Sequence, residues 1–367
     1  MSTADTELRD LRAAVAALGA RAGGSGELWA EAGKLGYLGV NLPAEYGGGG
    51  GGITELAVVL EELSATGNPL VLMVVSPAIC GTVLARFGTE EQKRTWLPGL
   101  ASGALRMSFG ITEPEAGSNS HRITTTARRD GGGWVLNGRK VFITGVDATD
   151  ATMIVARTGE GGPCLFVVDR DAPGFRRTPI PMEIRGGLRQ FELVLEDVRL
   201  PANALVGDED AGLRQLFAGL NPERIMTAAF ALGLARYALG RAVDYARTRE
   251  VWDRPIGAHQ ALAHPLAQAH IEIELARLMT ERAARLYDDG DDAGAGEAAN
   301  MAKYAAAEAA VRTVDQAVHT LGGNGLTQEF GLAALITAVR VARVAPVSRE
   351  MILNYVSHHT LGLPKSY

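Results

Sequence analysis

The middle of the chain constrains the fold most. Between residues 106 and 205 the sequence breaks into short apolar or alternating runs: WVLNGRKVFITG, ATMIVART, PCLFVVDR and QFELVLEDVRL. Gly, Asp, Asn and Pro separate them. Runs of that length between turn residues predict strands, with turns at Asp130-Gly131 and Asn137-Gly138. No long helical pattern is interleaved with them. A doubly wound parallel sheet is therefore disfavoured, and an antiparallel β domain is expected. The flanks are helical. Leu8, Leu11, Ala14, Val15 and Leu18 recur at helical spacing, as do Leu56, Val59, Leu60 and Leu63. Six consecutive glycines, 47–52, join these two patterns. They match a dinucleotide fingerprint only as any glycine run would, and no β-branched strand precedes them, so they predict a loop. Beyond the β region, helices are predicted over 225–251, 265–286, 297–321 and 348–361, with Gly322-Gly323 stopping the third. The expected fold is α+β and mostly α. It has an N-terminal helical domain (1–105), a middle antiparallel β domain (106–205) and a C-terminal four-helix bundle (206–367).

Composition narrows the chemistry. At 367 residues, 47% hydrophobic and 21% charged, the chain reads as an ordinary globular protein with room for a large core. A net charge of −6 argues against sequence-independent nucleic-acid binding. Cys80 and Cys164 are the only cysteines, too few for a disulfide framework or a cysteine-rich zinc site. The seven histidines form no HExxH pattern, so no protein-held metal is expected. The amino terminus carries early acids and no apolar core of a signal peptide. The longest apolar run, 69–80, is interrupted by Ser76 and Pro77 and is too short to span a bilayer. A cytoplasmic protein without membrane insertion is the expectation.

Four segments carry a resemblance. ITEPEAGSN (111–119) is similar to the TEPxAGSD segment of acyl-CoA dehydrogenases, and NGRKVFITG (137–145) to their NGxKxWITN. RTREVWDRPIGAHQ (247–260) resembles their RxxFGxPIxxxQ, and LGGNG (321–325) their LGGxGy. Any one segment alone would be an ordinary turn, strand or helix end. All four fall in the family's order and spacing, and the resemblance covers essentially the whole chain. It implies a flavoprotein with FAD as cofactor. By resemblance, Phe109, Ile111 and Thr112 lie along the flavin edge, and Thr112 bonds the ring system. Ser118 meets the pyrophosphate or the thioester substrate. Phe142 and Thr144 stand where Trp and Thr cover the flavin; Phe can stack but lacks the indole N–H. Arg249, Trp252 and Gln260 match residues that reach the ADP half of FAD from a neighbouring subunit, where a forked guanidinium suits a pyrophosphate. Asp253 replaces the usual Gly there, and Trp252 the usual Phe. Gly322 and Gly323 match a close backbone approach to the cofactor, and His319 stands where relatives have Gln.

The family's reaction needs a base for the α-proton, while flavin N5 takes the β-hydride. Many members carry it in an EGT segment before the last helix. Here VARVAPVSREM places Pro346, Val347 and Ser348 at those positions, and proline cannot take a proton. Ser348 keeps a hydroxyl that resembles the family's Thr beside the flavin. Other members, of the isovaleryl and long-chain type, carry the carboxylate on the first long helix of the C-terminal bundle, before an Arg. LNPERIM puts Glu223-Arg224 there. The resemblance thus implies Glu223 as base and Arg224 as a substrate contact. The competing local reading is a helix start, with Asn221 as cap, Pro222 at the first position and Glu223 favoured by the helix dipole. Glu350 is the runner-up carboxylate. The implied activity is FAD-dependent α,β-dehydrogenation of an acyl-CoA, an oxidoreductase reaction on a CH–CH bond in fatty acid metabolism. An electron-transfer flavoprotein would be the acceptor and the assembly a homotetramer. The alternatives are an acyl-carrier-protein substrate, an oxygen-using oxidase or monooxygenase of the same fold, and a binding protein without flavin. The glycine run would lie at the rim of the substrate site.

Overall fold

The computed structural model describes residues 3–21, 23–68, 70–159, 162–184, 189–209 and 212–365. The N-terminal part is helical: α1 Thr3–Gly19, α2 Ser25–Lys34, α3 Ile53–Ser64, α4 Leu72–Val75, α5 Thr82–Phe87 and α6 Glu90–Ser102. The helix-spaced leucines and valines of α1 and α3 that fall among the buried residues face the core, as their period requires. The apolar run after Asn68 becomes α4, a π-helical turn over Ser76–Gly81 and α5, all wound as one path. Pro69 lies outside the described residues. No helix among the described residues is long and apolar enough to cross a membrane. The glycine run is a loop, as expected. It packs against the end of a C-terminal helix: Ile53 N and Thr54 N, just after it, donate to Asp288 at 2.8 and 2.9 Å.

Eight strands follow: β1 Met107–Gly110, β2 Thr126–Asp130, β3 Gly133–Thr144, β4 Ala151–Thr158, β5 Pro163–Asp169, β6 Phe175–Ile180, β7 Gln190–Leu200 and β8 Leu205–Val206. They form one sheet in the order β6-β7-β3-β2-β4-β5-β8, with β1 added beside β4. Most neighbours are antiparallel, but β1 and β2 each run parallel to β4, a departure from the all-antiparallel expectation. The turn at Asp130-Gly131 is present. Asn137-Gly138 is no turn: it lies inside β3, where the register against β7 slips between Leu136 and Gly138. A β-bulge accepts the same residue types as a turn, because both need unusual backbone angles. A second slip falls between Lys140 and Ile143. One face of the sheet has its own core, where Trp134 and Phe166 meet edge to face at 5.1 Å.

The C-terminal part holds α7 Gly212–Thr248, the short strands β9 Glu250–Val251 and β10 Arg254–Pro255, α8 Gln260–Asp288, α9 Asp292–Leu321, α10 Leu332–Val344 and α11 Arg349–Tyr355. α7 begins well before residue 225, and α8 and α9 also start earlier than the pattern suggested. α10 was not anticipated, and the last helix is shorter, passing into a π turn over Val356–Thr360. α7 packs on α9, α8 and the N-terminal α3, so helices from both ends of the chain share one core.

Pro222 sits inside α7, not at its start. Proline in a helix interior leaves the carbonyl four residues back without its usual donor. Here the Tyr287 hydroxyl of α8 donates to Ala218 O at 2.7 Å and takes that place. The helix-start reading of Asn221-Pro222-Glu223 is therefore overturned, and Glu223 is a mid-helix residue.

Candidate active site

Glu223 projects into a cavity of about 120 Å³ between the helices and the sheet. α7 contributes Glu223, Thr227 and Phe230, which share one helix face by their spacing. Val71, Val74 and Val75 come from α4 and its N-cap. Val341, Ala342, Ala345 and Pro346 come from α10 and the turn after it. Thr144, Ile184 and Gln190 close it on the sheet side. Glu223 is the only titratable residue on this described lining. Its carboxylate is enclosed by protein yet faces the cavity. Burial pushes its pKa up to about 7, against the pull of the Arg224 and Lys303 cations. The polar neighbours are satisfied among themselves. Thr227 Oγ1 donates to Glu223 O at 2.7 Å, and Gln190 Nε2 donates to Thr144 Oγ1 at 3.0 Å.

Arg224, the next residue along the helix, points elsewhere. It is buried, and it lines a second cavity of about 430 Å³ with Arg214, Asn221, Asn300 and Tyr355. Its Nη1 donates to Asn221 Oδ1 at 3.0 Å, while its Nε is buried without a partner. Lys303 of α9 is buried and donates to Val347 O, tying α9 to the turn that carries Pro346. Burial lowers its pKa to about 8. Glu350 is exposed and lies 3.6 Å from Arg349 Nε. It lines neither of these cavities.

The segments around Ile111 and Phe142 meet. Val141 N donates to Thr112 O at 2.9 Å. Lys140 Nζ, fully buried, donates to Ile111 O at 3.0 Å and to Glu113 Oε1 at 2.8 Å. The Glu113 carboxylate also accepts from Thr124 N at 2.6 Å and Thr125 N at 2.9 Å. Burial opposes its charge, but Lys140 and these donors outweigh it and hold the carboxyl low. Phe142 is 58% exposed with φ 58°, aimed off the sheet by the second bulge. Phe109 is buried in the helical core, and Ser118 is exposed on a loop.

The remaining predicted residues lie elsewhere. Arg249 and Gln260 are exposed at either side of the β9–β10 hairpin, and Trp252 at its tip is 81% exposed. Trp252 and Asp253 both have positive φ, 53° and 60°. A two-residue hairpin turn needs this, and Asp tolerates it better than most residues, which accounts for an Asp where the family has Gly. His319 is exposed near the end of α9, and Gly322 ends that helix with φ 58°. Gly323 is exposed beside it. Ser348 caps α11: Met351 N donates to its Oγ at 3.3 Å. None of these residues, nor the glycine run, lines the Glu223 cavity. The valines of α4, Phe230 and the α10 wall were not anticipated, since apolar residues at helical spacing look the same whether they face a core or a cavity.

Family models described as the N-terminal, middle and C-terminal domains of acyl-CoA dehydrogenase match residues 3–104, 108–198 and 210–360. The chain belongs to the acyl-CoA dehydrogenase family. Acyl-CoA dehydrogenase FadE12 of Mycobacterium tuberculosis is 66% identical over 93% of this chain and 89% of its own. A solved glutaryl-CoA dehydrogenase from Mycobacterium smegmatis, in complex with FADH2, is 30% identical. It superposes with a TM-score of 0.91 over 100% of this chain and 97% of that one. Butyryl-CoA dehydrogenase from Megasphaera elsdenii, 27% identical, matches with a TM-score of 0.88 over 98% of this chain and 99% of that one. The three-part acyl-CoA dehydrogenase fold, helical then β then helical, is thus the fold of this chain.

Proposed function

We propose that this protein is an FAD-dependent dehydrogenase of acyl-CoA thioesters in which Glu223 removes the α-proton. One observation carries the assignment: Glu223 is the sole titratable group on the described wall of an otherwise largely apolar cavity, and Pro346 lines the same cavity. An α-carbon seated there has one acceptor for its proton. A carboxylate whose pKa is raised to about 7 is basic enough to take it and still partly ionised near neutrality.

The residues present fit a planar aromatic cofactor. Phe142 is a large, exposed aromatic held at a backbone angle that non-glycine residues rarely adopt, two positions from Thr144 on the cavity wall. FAD supplies the two-electron acceptor for the β-carbon when bound. Ile111, Thr112, Phe142 and Thr144 would hold its ring system, with Phe109 behind them and Ser118 at the pyrophosphate or the thioester. Arg249, Trp252, Gln260, His319, Gly322 and Gly323 would reach the ADP half from a neighbouring copy. The Ser348 hydroxyl would stand near the flavin as a secondary contact. Arg224, which lines its own cavity and has a buried Nε without a partner, would hold the carrier portion of the thioester. The reading extends to a cytoplasmic homotetramer in fatty acid metabolism that passes electrons to an electron-transfer flavoprotein.

Anaerobic flavin bleaching by a good acyl-CoA tests the assignment. Glu223 must be ionised to accept the proton, so the rate rises with pH through about 7 and levels off above it. Glu223→Gln should slow bleaching by about 10²–10⁴-fold while flavin stays bound. A Glu223→Gln enzyme that bleaches at the wild-type rate would overturn it.

A further inference from the structure

The Glu223 cavity also carries information about the acyl group it takes. Three helices wall it with small or branched apolar side chains, and Phe230 is the largest of them. Phe230 stands seven positions after Glu223 on α7, roughly 10.5 Å along the axis. Phe230 is 5% exposed and belongs to the helical core, so it backs onto protein and not onto a channel. The space between these walls, about 120 Å³, is slightly smaller than an engineered apolar cavity of about 150 Å³ that binds a benzene molecule.

Polarity narrows the ligand further. No cation lines the cavity among the described residues, and its one charged group is Glu223 itself. Against these residues a second carboxylate on the acyl chain would meet no cation on the wall and would face a like charge, which disfavours its binding. The hydroxyl of Thr227 is committed to Glu223 O, and Thr144 and Gln190 to each other. Among the described residues the wall offers little to a hydroxylated acyl chain or to an acidic one.

We infer that the cavity selects an apolar acyl group of about four to six carbons, straight or branched, without a terminal charge. Phe230 sets its far wall. The inference rests on the dehydrogenase reading and adds the substrate class to it. It sets this chain apart from the glutaryl-CoA dehydrogenase it resembles in fold, since a glutaryl group ends in a carboxylate.

The test is kcat/KM for anaerobic flavin reduction with butyryl-, isovaleryl-, hexanoyl-, dodecanoyl- and glutaryl-CoA. The best of the first three should exceed dodecanoyl-CoA and glutaryl-CoA by at least ~10-fold, since one methylene in an apolar pocket already discriminates by roughly that factor. Phe230→Ala should move the dodecanoyl-to-butyryl ratio up by at least ~10-fold. Ala342→Leu fills the cavity instead of enlarging it, and should lower the hexanoyl-to-butyryl ratio even if Phe230→Ala does not fold. Equal rates across the panel, or ratios unmoved in both variants, would overturn the selection and leave the dehydrogenase reading standing. No bleaching with any member, by a protein that holds FAD, would overturn that reading and the selection with it.

Discussion

Lys140 and Glu113 form the most deeply buried ion pair among the described residues, with neither side chain more than 2% exposed, and burying two charges is costly. Their position shows what the cost secures. Lys140 bridges the carbonyl of Ile111 and the Glu113 carboxylate, and so joins the segment carrying Ile111 and Thr112 to the strand carrying Phe142 and Thr144. Removing one partner of a buried pair leaves the other charge without compensation, whereas removing both is far milder. Lys140→Met should therefore destabilise the protein by about 3–5 kcal/mol. Lys140→Met combined with Glu113→Leu should recover most of that loss in denaturant unfolding. If the pair aligns the flavin segments, the double variant will regain stability but not full FAD content, measured by absorbance of the purified protein. Full FAD content in the double variant would reduce the pair to a purely structural role.

At the scale of elements, α7 is the axis on which the helices from both ends of the chain assemble, and its glycines separate packing from propensity. At Gly233 α7 crosses α3 so closely that an added Cβ would collide with the Glu61 carbonyl oxygen and the Ser64 side chain. At Gly240, on the exposed face of the same helix, an added Cβ meets nothing within 4 Å. Gly233→Ala should cost about 1–3 kcal/mol through overpacking. Gly240→Ala should gain roughly 0.5–1 kcal/mol by helix propensity. Opposite shifts in chemical denaturation would confirm the crossing; a neutral Gly233→Ala would refute it. The same helix shows what the sequence could and could not disclose. Its amphipathic stretch from residue 225 was legible, but Pro222 looked like a beginning because nothing local reveals that Tyr287, 65 positions away, supplies the missing donor. α10 escaped notice for a different reason. Leu332, Leu335, Ala338, Val339 and Ala342 do recur at helical spacing, but Gly331 offers no side-chain cap and no acid stands in the first turn to mark where the helix starts. Asn137-Gly138 misled because a bulge and a hairpin turn share residue types. Of the residues that line the cavity, Glu223, Thr144 and Pro346 were singled out in the sequence through the family resemblance. Phe230 and the valines of α4 were not, because a cavity exists only once three helices have met.

At the scale of the whole molecule, several large apolar side chains are left facing solvent on one helix. Ile271, Leu275 and Leu278 of α8 are 58%, 62% and 56% exposed, and their spacing sets them in one stripe. A contiguous exposed apolar stripe marks an association surface, and the burial of each such side chain is worth about 1.5–3 kcal/mol. α8 begins at Gln260, directly after the hairpin that carries Arg249 and Trp252, so an interface on this helix would bring a second copy close to those residues. Assembly and cofactor binding should then be linked. Leu275→Glu places a charge in the middle of the stripe. By light scattering it should lower the assembly mass, and FAD content should fall in the same samples. Unchanged mass would show that the stripe is not the interface. A lower mass with full FAD content would show that Arg249, Trp252 and Gln260 do not serve a neighbour's cofactor, and would confine the flavin site to a single chain.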